Sequence, residues 1–153
     1  MRSSLVTVAL LGAGIALLAC LSYFRLSVPL PSSTINNSRT ILLDGKIVRV
    51  TVADTDATRD KGLGGREGLA KDEGMLFVFD SDDKYGFWMK DMRFPIDILW
   101  LSSAGRIVDM RESVSLSTYP VVFEPIAPAR YVLELPAGFA EVHNIKIGDE
   151  VAM

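Results

Sequence analysis

The sequence predicts a β-rich α+β domain behind an apolar leader, and three observations carry that prediction. Short apolar and β-branched runs recur from Ile41 to the C-terminus, each bounded by Gly, Pro, Asp or Ser. Only the stretches after Asp54 and after Pro136 suit helices, and both are short. Leu5–Phe24 is a run of twenty uncharged residues, set apart at the start of the chain. The expected architecture is a curled, mostly antiparallel sheet or small barrel with two short helices, plus an N-terminal apolar helix. A chain of 153 residues has room for one such domain and an appendage.

Residues 1–25 read as a signal anchor or signal peptide. Twenty helical residues at 1.5 Å each reach about the thickness of a bilayer's hydrocarbon core. Arg2 and the amino terminus precede the run and Arg25 follows it, which favours a cytoplasmic start and an extracytoplasmic domain. Three fates stay open: a retained anchor, a cleaved signal, and a lipoprotein signal. The last arises because Leu17-Leu18-Ala19-Cys20 resembles a loose lipobox with Cys20 as the lipidated residue; otherwise Cys20 is a small hydrophobe in a membrane helix. The expected location is periplasmic or on the outer face, anchored to the inner membrane or secreted, with the membrane itself as a partner through residues 5–24. Residues 26–38 are a linker, rich in Ser, Pro and Asn and uncharged.

Residues 39–153 are expected to form a single globular domain. Asp44-Gly45 between Ile41–Leu43 and Lys46–Val52 is a two-residue hairpin signal, and Val48, Val50 and Val52 alternate toward a core. Asp54 or Asp56 can cap a short helix ending near Gly62. Met75–Phe79, Phe87–Lys90 and Ile96–Leu101 read as buried strands. Arg106–Met110 completes a hairpin after Ser103-Ala104-Gly105. Tyr131–Leu135 stops at Pro136, Ala137–His143 suits a helix, and Gly148-Asp149 turns into the last strand.

Composition excludes several functions. Sixteen basic against nineteen acidic residues are not the footprint of a nucleic-acid binder, and residues 39–153 alone carry 14 against 19. One cysteine and one histidine leave no intrachain disulfide and no basis for a structural zinc site. No G-x-S-x-G or phosphate-loop motif occurs, so neither a metal nor a cofactor is expected. His143, at the end of a helical stretch, suits a dipole partner better than a base. Asp80, Asp82 and Asp83 lack the calcium-loop pattern.

The informative residues interrupt apolar strands. Asp97 lies within IDILWL and Glu134 within YVLEL, where an ionised carboxylate is costly unless paired. Lys90, Arg93, Arg66 and Arg130 are the available cations, and a polar cluster of Asp97, Glu134, Lys90 and Arg66 or Arg93 near one end of the sheet is expected. One reading makes these groups structural ion pairs or outward-facing residues. Another makes Arg66, Trp88, Lys90, Asp97 and Glu134 the lining of a pocket for a small anionic or hydroxylated ligand, with Trp88 or Trp100 as a flat wall. A third gives Asp97 and Glu134 acid and base roles in hydrolysing an envelope glycan or polymer.

The order of motifs is also familiar: Arg59, Gly62-Leu63 and Arg66; Glu73-Gly74-Met75-Leu76-Phe77-Val78-Phe79; Phe87-Trp88-Met89-Lys90; Pro95-Ile96-Asp97; and Val132-Leu133-Glu134-Leu135-Pro136-Ala137-Gly138. Together they resemble the domain of unknown function 192 family over about residues 46–153. The resemblance implies a compact β-rich fold and no established activity, with recurrent polar positions at Arg66, Lys90, Asp97 and Glu134. Two departures stand out: Gly64 where the family usually has Met, and Asp91-Met92 after Lys90 where Asn-Thr is frequent. The resulting expectation is a non-catalytic domain that binds a small ligand or an envelope protein. A glycan hydrolase, and an assembly module that uses its sheet edge, are the alternatives.

Overall fold

The computed structural model describes residues 37–153, and its centre is a seven-stranded sheet. The N-terminal apolar helix, the linker up to residue 36 and Cys20 lie outside the described residues. Along the chain come β1 (Ser38–Leu43), β2 (Lys46–Ala53), α1 (Asp56–Lys61), β3 (Glu73–Asp83), β4 (Ile96–Leu101), β5 (Ile107–Val114), a 3-10 turn (Leu116–Thr118), β6 (Ala129–Pro136), α2 (Phe139–His143) and β7 (Val151–Ala152). The sheet order is β5-β4-β6-β3-β2-β1-β7. Every neighbouring pair is antiparallel except β2 and β3, whose parallel pairing requires the crossover that α1 and the loop after it provide.

The hairpin forms as expected: Leu43 faces Lys46, with Asp44 and Gly45 at φ 47° and 76°, the left-handed pair that a two-residue turn needs. Val48, Val50 and Val52 are buried. The expected cap of α1 shifts by a residue. Thr55, not Asp54 or Asp56, accepts from the Thr58 amide, and Thr58 returns a bond to the Thr55 amide, because this reciprocal box satisfies two end amides where a lone aspartate would satisfy one. Phe87–Lys90 is not a strand. Only Phe87 pairs, with Phe123, and the segment arches over the sheet as a loop held by the Trp100 indole N–H donating to the Tyr85 carbonyl at 2.8 Å. Met89 is buried and Phe87 half-buried by covering strands rather than by joining them, while Trp88 stays exposed, a distinction that hydrophobicity alone does not carry.

The sheet curls, and its outer edges meet at one corner. The Ile107 amide donates to Asp149 at 3.0 Å and the Val151 amide to Gly105 at 2.9 Å, with a bridge between Arg106 and Glu150. The curl separates two cores. One face packs Val48, Leu99, Leu101, Leu133 and Leu135 under Phe139 of α2. The other packs Met75, Phe77, Ile98, Trp100 and Val132 under Leu63 and Met89 from the loops. Strand β4 serves both, and all six of its residues are buried.

Asp97 is the charge inside that strand. Its Oδ1 accepts from the Ser113 amide at 2.7 Å and the Gly138 amide at 3.0 Å, and its Oδ2 from the Ala140 amide at 2.8 Å. Gly138 is the N-cap of α2 and has no side chain to cap with, so Asp97 caps the helix from across the core. Asp109 does similar work on β5. Burial raises its pKa, but hydrogen bonds from Arg111 and the Ile126 and Met110 amides outweigh burial and hold it below the ordinary carboxylate range. Asp97→Asn should therefore cost about 2–4 kcal/mol of unfolding free energy, since an amide oxygen is a weaker acceptor and its NH2 faces donors. Urea titration of the two proteins measures this, and a loss below about 0.5 kcal/mol would contradict the capping role.

Candidate functional site

A cavity of about 690 Å³ opens on the sheet face opposite α2. Glu134 is part of its wall because of strand register. It stands opposite Met75 on β3 and Ile98 on β4, and facing residues of paired strands share a face. Asp97 stands opposite Leu135 and so belongs to the other face. One residue of register thus sends the two carboxylates to different cores.

The loops supply the remaining walls. Phe77 and Phe79 rise from β3, and Tyr85, Phe87, Trp88 and Lys90 come from the loop after it. Phe77 meets the edge of Phe87, and Phe79 stacks on Tyr85 with centroids 3.5 Å apart. Gly86 lets this loop pass close to residues 121–123: a Cβ there would meet Val122 Cγ1 at 2.6 Å, so the Val122 side chain would have to move. A third wall comes from α1. The β3–β6 pairing breaks after Val78, and Arg59 takes the freed Val78 carbonyl at 2.8 Å, also bonding Asp54 O and Asp56 Oδ1. Arg59 was legible only as a motif position; no interruption of an apolar strand marks it as a wall residue.

Of the residues expected at a site, Trp88, Lys90 and Glu134 line this cavity together. The Lys90 ammonium lies 5.7 Å from the Trp88 ring centre, and Trp88 remains 47% exposed. Trp100, the alternative flat wall, is fully buried in the core. Arg66 lines a neighbouring cavity of about 240 Å³ beside β2 and β3, near enough for its charge to act on Glu134. Arg93 pairs with Glu67 instead. His143 ends α2 with its ring against Phe139. Asp82 pairs with Arg130 at 2.6 Å, and no cluster of potential metal ligands occurs among the described residues. Gly64 and Asp91 both line the cavity, and the Asp91 carbonyl accepts from the Gly65 amide at 2.9 Å.

Glu134 is the chemically unusual member. It is 4% exposed, and its Oε2 is buried with no hydrogen-bond partner. Burial pushes its carboxyl up to about 8, against the opposing pull of the Arg66 charge, so at neutral pH it is a neutral acid with a proton to donate.

Residues 39–153 match the model of the domain of unknown function 192 family, described as an uncharacterized ACR. The chain belongs to that family. A UPF0127 protein of Thermococcus sibiricus is 29% identical over 105 residues, which cover 67% of this chain and 64% of that protein; the chain thus matches somewhat less than two thirds of that relative's length. A crystal structure of a protein of unknown function from Novosphingobium aromaticivorans is 28% identical with TM-score 0.71, over 76% of this chain and 85% of that one. A crystal structure of a candidate transcription regulator from Sinorhizobium meliloti is 31% identical with TM-score 0.67, over 74% and 89%.

The raised pKa has a consequence for stability. Between about 4.5 and about 8 the native state holds the Glu134 proton that the unfolded chain has lost. Its contribution is full below the lower value and gone above the upper one, a fall on the order of 5 kcal/mol. Measured against Glu134→Gln, which has no proton to lose, wild-type stability should decline across that window. Denaturant titrations at stepped pH check it; parallel curves would show Glu134 ionised and solvated.

Proposed function

We propose that residues 39–153 form a non-catalytic binding domain for a small ligand or envelope partner, seated in the Glu134 cavity. The observation that carries this reading is the buried, unpartnered Glu134 Oε2 at a cavity walled by aromatic side chains. A buried polar atom left without a partner costs about 1–3 kcal/mol, which a ligand supplying an acceptor recovers. The cavity's volume lies within the range of about 300–1,000 Å³ usual for small-molecule sites. Arg66 sets the field around Glu134, while Trp88 and Lys90 form the mouth.

Hydrolysis by Asp97 and Glu134 lacks supporting geometry, because strand register sends them to opposite faces and three amides occupy Asp97. Recruitment of a partner along the sheet edge finds both edges partly engaged at 105–107 and 149–151. A nucleic-acid-binding role of the kind a transcription regulator needs finds no basic footprint here, since residues 39–153 hold 14 basic against 19 acidic residues.

In this reading residues 5–24 export the domain, which is then either held to the inner membrane or released, with residues 26–38 as linker. Two experiments test the proposal. A thermal-shift screen of the chain against sugars, nucleotides, amino acids and metals should give at least one stabilising class, worth about 2.7 kcal/mol at a hundred times Kd. Lys90→Ala should shrink that shift, and a flat screen would favour an assembly role. For attachment, fractionation of Cys20→Ala should show unchanged processing and membrane retention; release of the protein would instead establish lipid anchoring.

A further inference from the structure

The cavity mouth has a composition that narrows the ligand. Its cations are matched in number by acids: Arg59, Lys61 and Lys90 line it with Asp56, Asp60 and Asp91, and Arg59 is bonded to Asp56 at 2.6 Å. A mouth with no surplus of either sign does not select an ion. It does present ammonium donors and carboxylate acceptors side by side, and a hydroxyl group, which both donates and accepts, can use both. The flat surfaces beside them are aromatic. Trp88 is 47% exposed with Tyr119 tilted against it, ring centres 5.8 Å apart, and the stacked Phe79–Tyr85 pair lies deeper. At the floor, Glu134 offers an O–H donor and a C=O acceptor on one group.

We propose that the Glu134 cavity binds an uncharged saccharide, one sugar ring laid against Trp88 and a hydroxyl or acetamido group of the chain hydrogen-bonded to Glu134. This rests on reading the cavity as a binding site. A pyranose combines an apolar C–H face with a periphery of hydroxyls, the same division as an aromatic platform ringed by mixed donors and acceptors. An amphipathic carboxylate would fit the aromatic walls equally and could accept the Glu134 O–H, but Arg59 is already bonded to Asp56, and Asp60 and Asp91 offset the charge of the two lysines that remain.

The test uses the full chain in a detergent without a sugar headgroup. Because Trp100 is fully buried, a change in tryptophan fluorescence on titration reports Trp88. The probes are the β-1,4-linked N-acetylglucosamine trisaccharide, maltotriose and 3-phenylpropionate. The proposal expects a saturable change with at least one trisaccharide, weaker binding of its monosaccharide if the natural ligand is a glycan chain, and equal binding if it is a free sugar. By calorimetry, Trp88→Ala and Glu134→Leu should each weaken that trisaccharide about tenfold or more, Glu134→Gln should retain most of the affinity, and Arg93→Ala, away from the cavity, should leave it unchanged. If neither trisaccharide binds while 3-phenylpropionate does, the saccharide assignment falls and the binding site stands. Should all three probes fail alongside a flat ligand screen, the binding-site reading itself fails. Trisaccharide binding that survives both Trp88→Ala and Glu134→Leu would place the sugar elsewhere and overturn the assignment.

Discussion

Strand β4 is buried along its whole length, and the one charge it carries, Asp97, binds three backbone amides from β5, the turn before α2 and α2 itself. Much of the fold depends on that contact. A five-residue helix has little stability of its own, so α2 can cover the Leu-rich core only if its exposed amides are met and its apolar residues are buried together. A carboxylate desolvated in this way is tolerable because its lone pairs are occupied by fixed donors. The same bonds hold Ser113, at φ 49°, at the end of β5.

The opposite face follows a different logic. There the sheet is covered by loops, with α1 burying no side chain and walling only one side of the cavity, and loops leave gaps. The segments 62–69 and 85–94 meet the sheet through Leu63, Phe87 and Met89, pinned by the Trp100–Tyr85 bond and by the Gly65 amide on Asp91. Between them lies the cavity, and Glu134 faces it without a partner. Two carboxylates one position apart across a strand pair therefore have opposite energetics. Asp97 is saturated and rigid; Glu134 is desolvated and incomplete. Incomplete buried polar groups beside a cavity are where ligands gain most.

Much of this was legible in the sequence, and the failures have physical causes. Asp97 and Glu134 were conspicuous because each interrupts an apolar run, and the cost of burying charge made both worth explaining. Their separation was not legible, since it depends on whether Leu135 or Glu134 faces Asp97, a matter of register between strands more than thirty residues apart in the chain. Phe87–Lys90 looked like a strand because a loop that covers a sheet buries its apolar residues as a strand does. Arg59 escaped as a wall residue because its role comes from the irregularity after Val78 in β3, which no local pattern announces.

Taken alone, the sequence determined the β-rich class, the 44–45 turn, the alternation of Val48, Val50 and Val52, and the family to which the chain belongs. These are properties of neighbouring residues, set by side-chain period, turn conformation and the order of motifs. The tertiary structure alone decided which polar residues share a cavity, that Arg66 acts on Glu134 from a second cavity, and that Asp97 caps a helix. Those outcomes depend on sheet curl, cross-strand register and the path of covering loops, all of which bring together groups that the chain itself holds far apart.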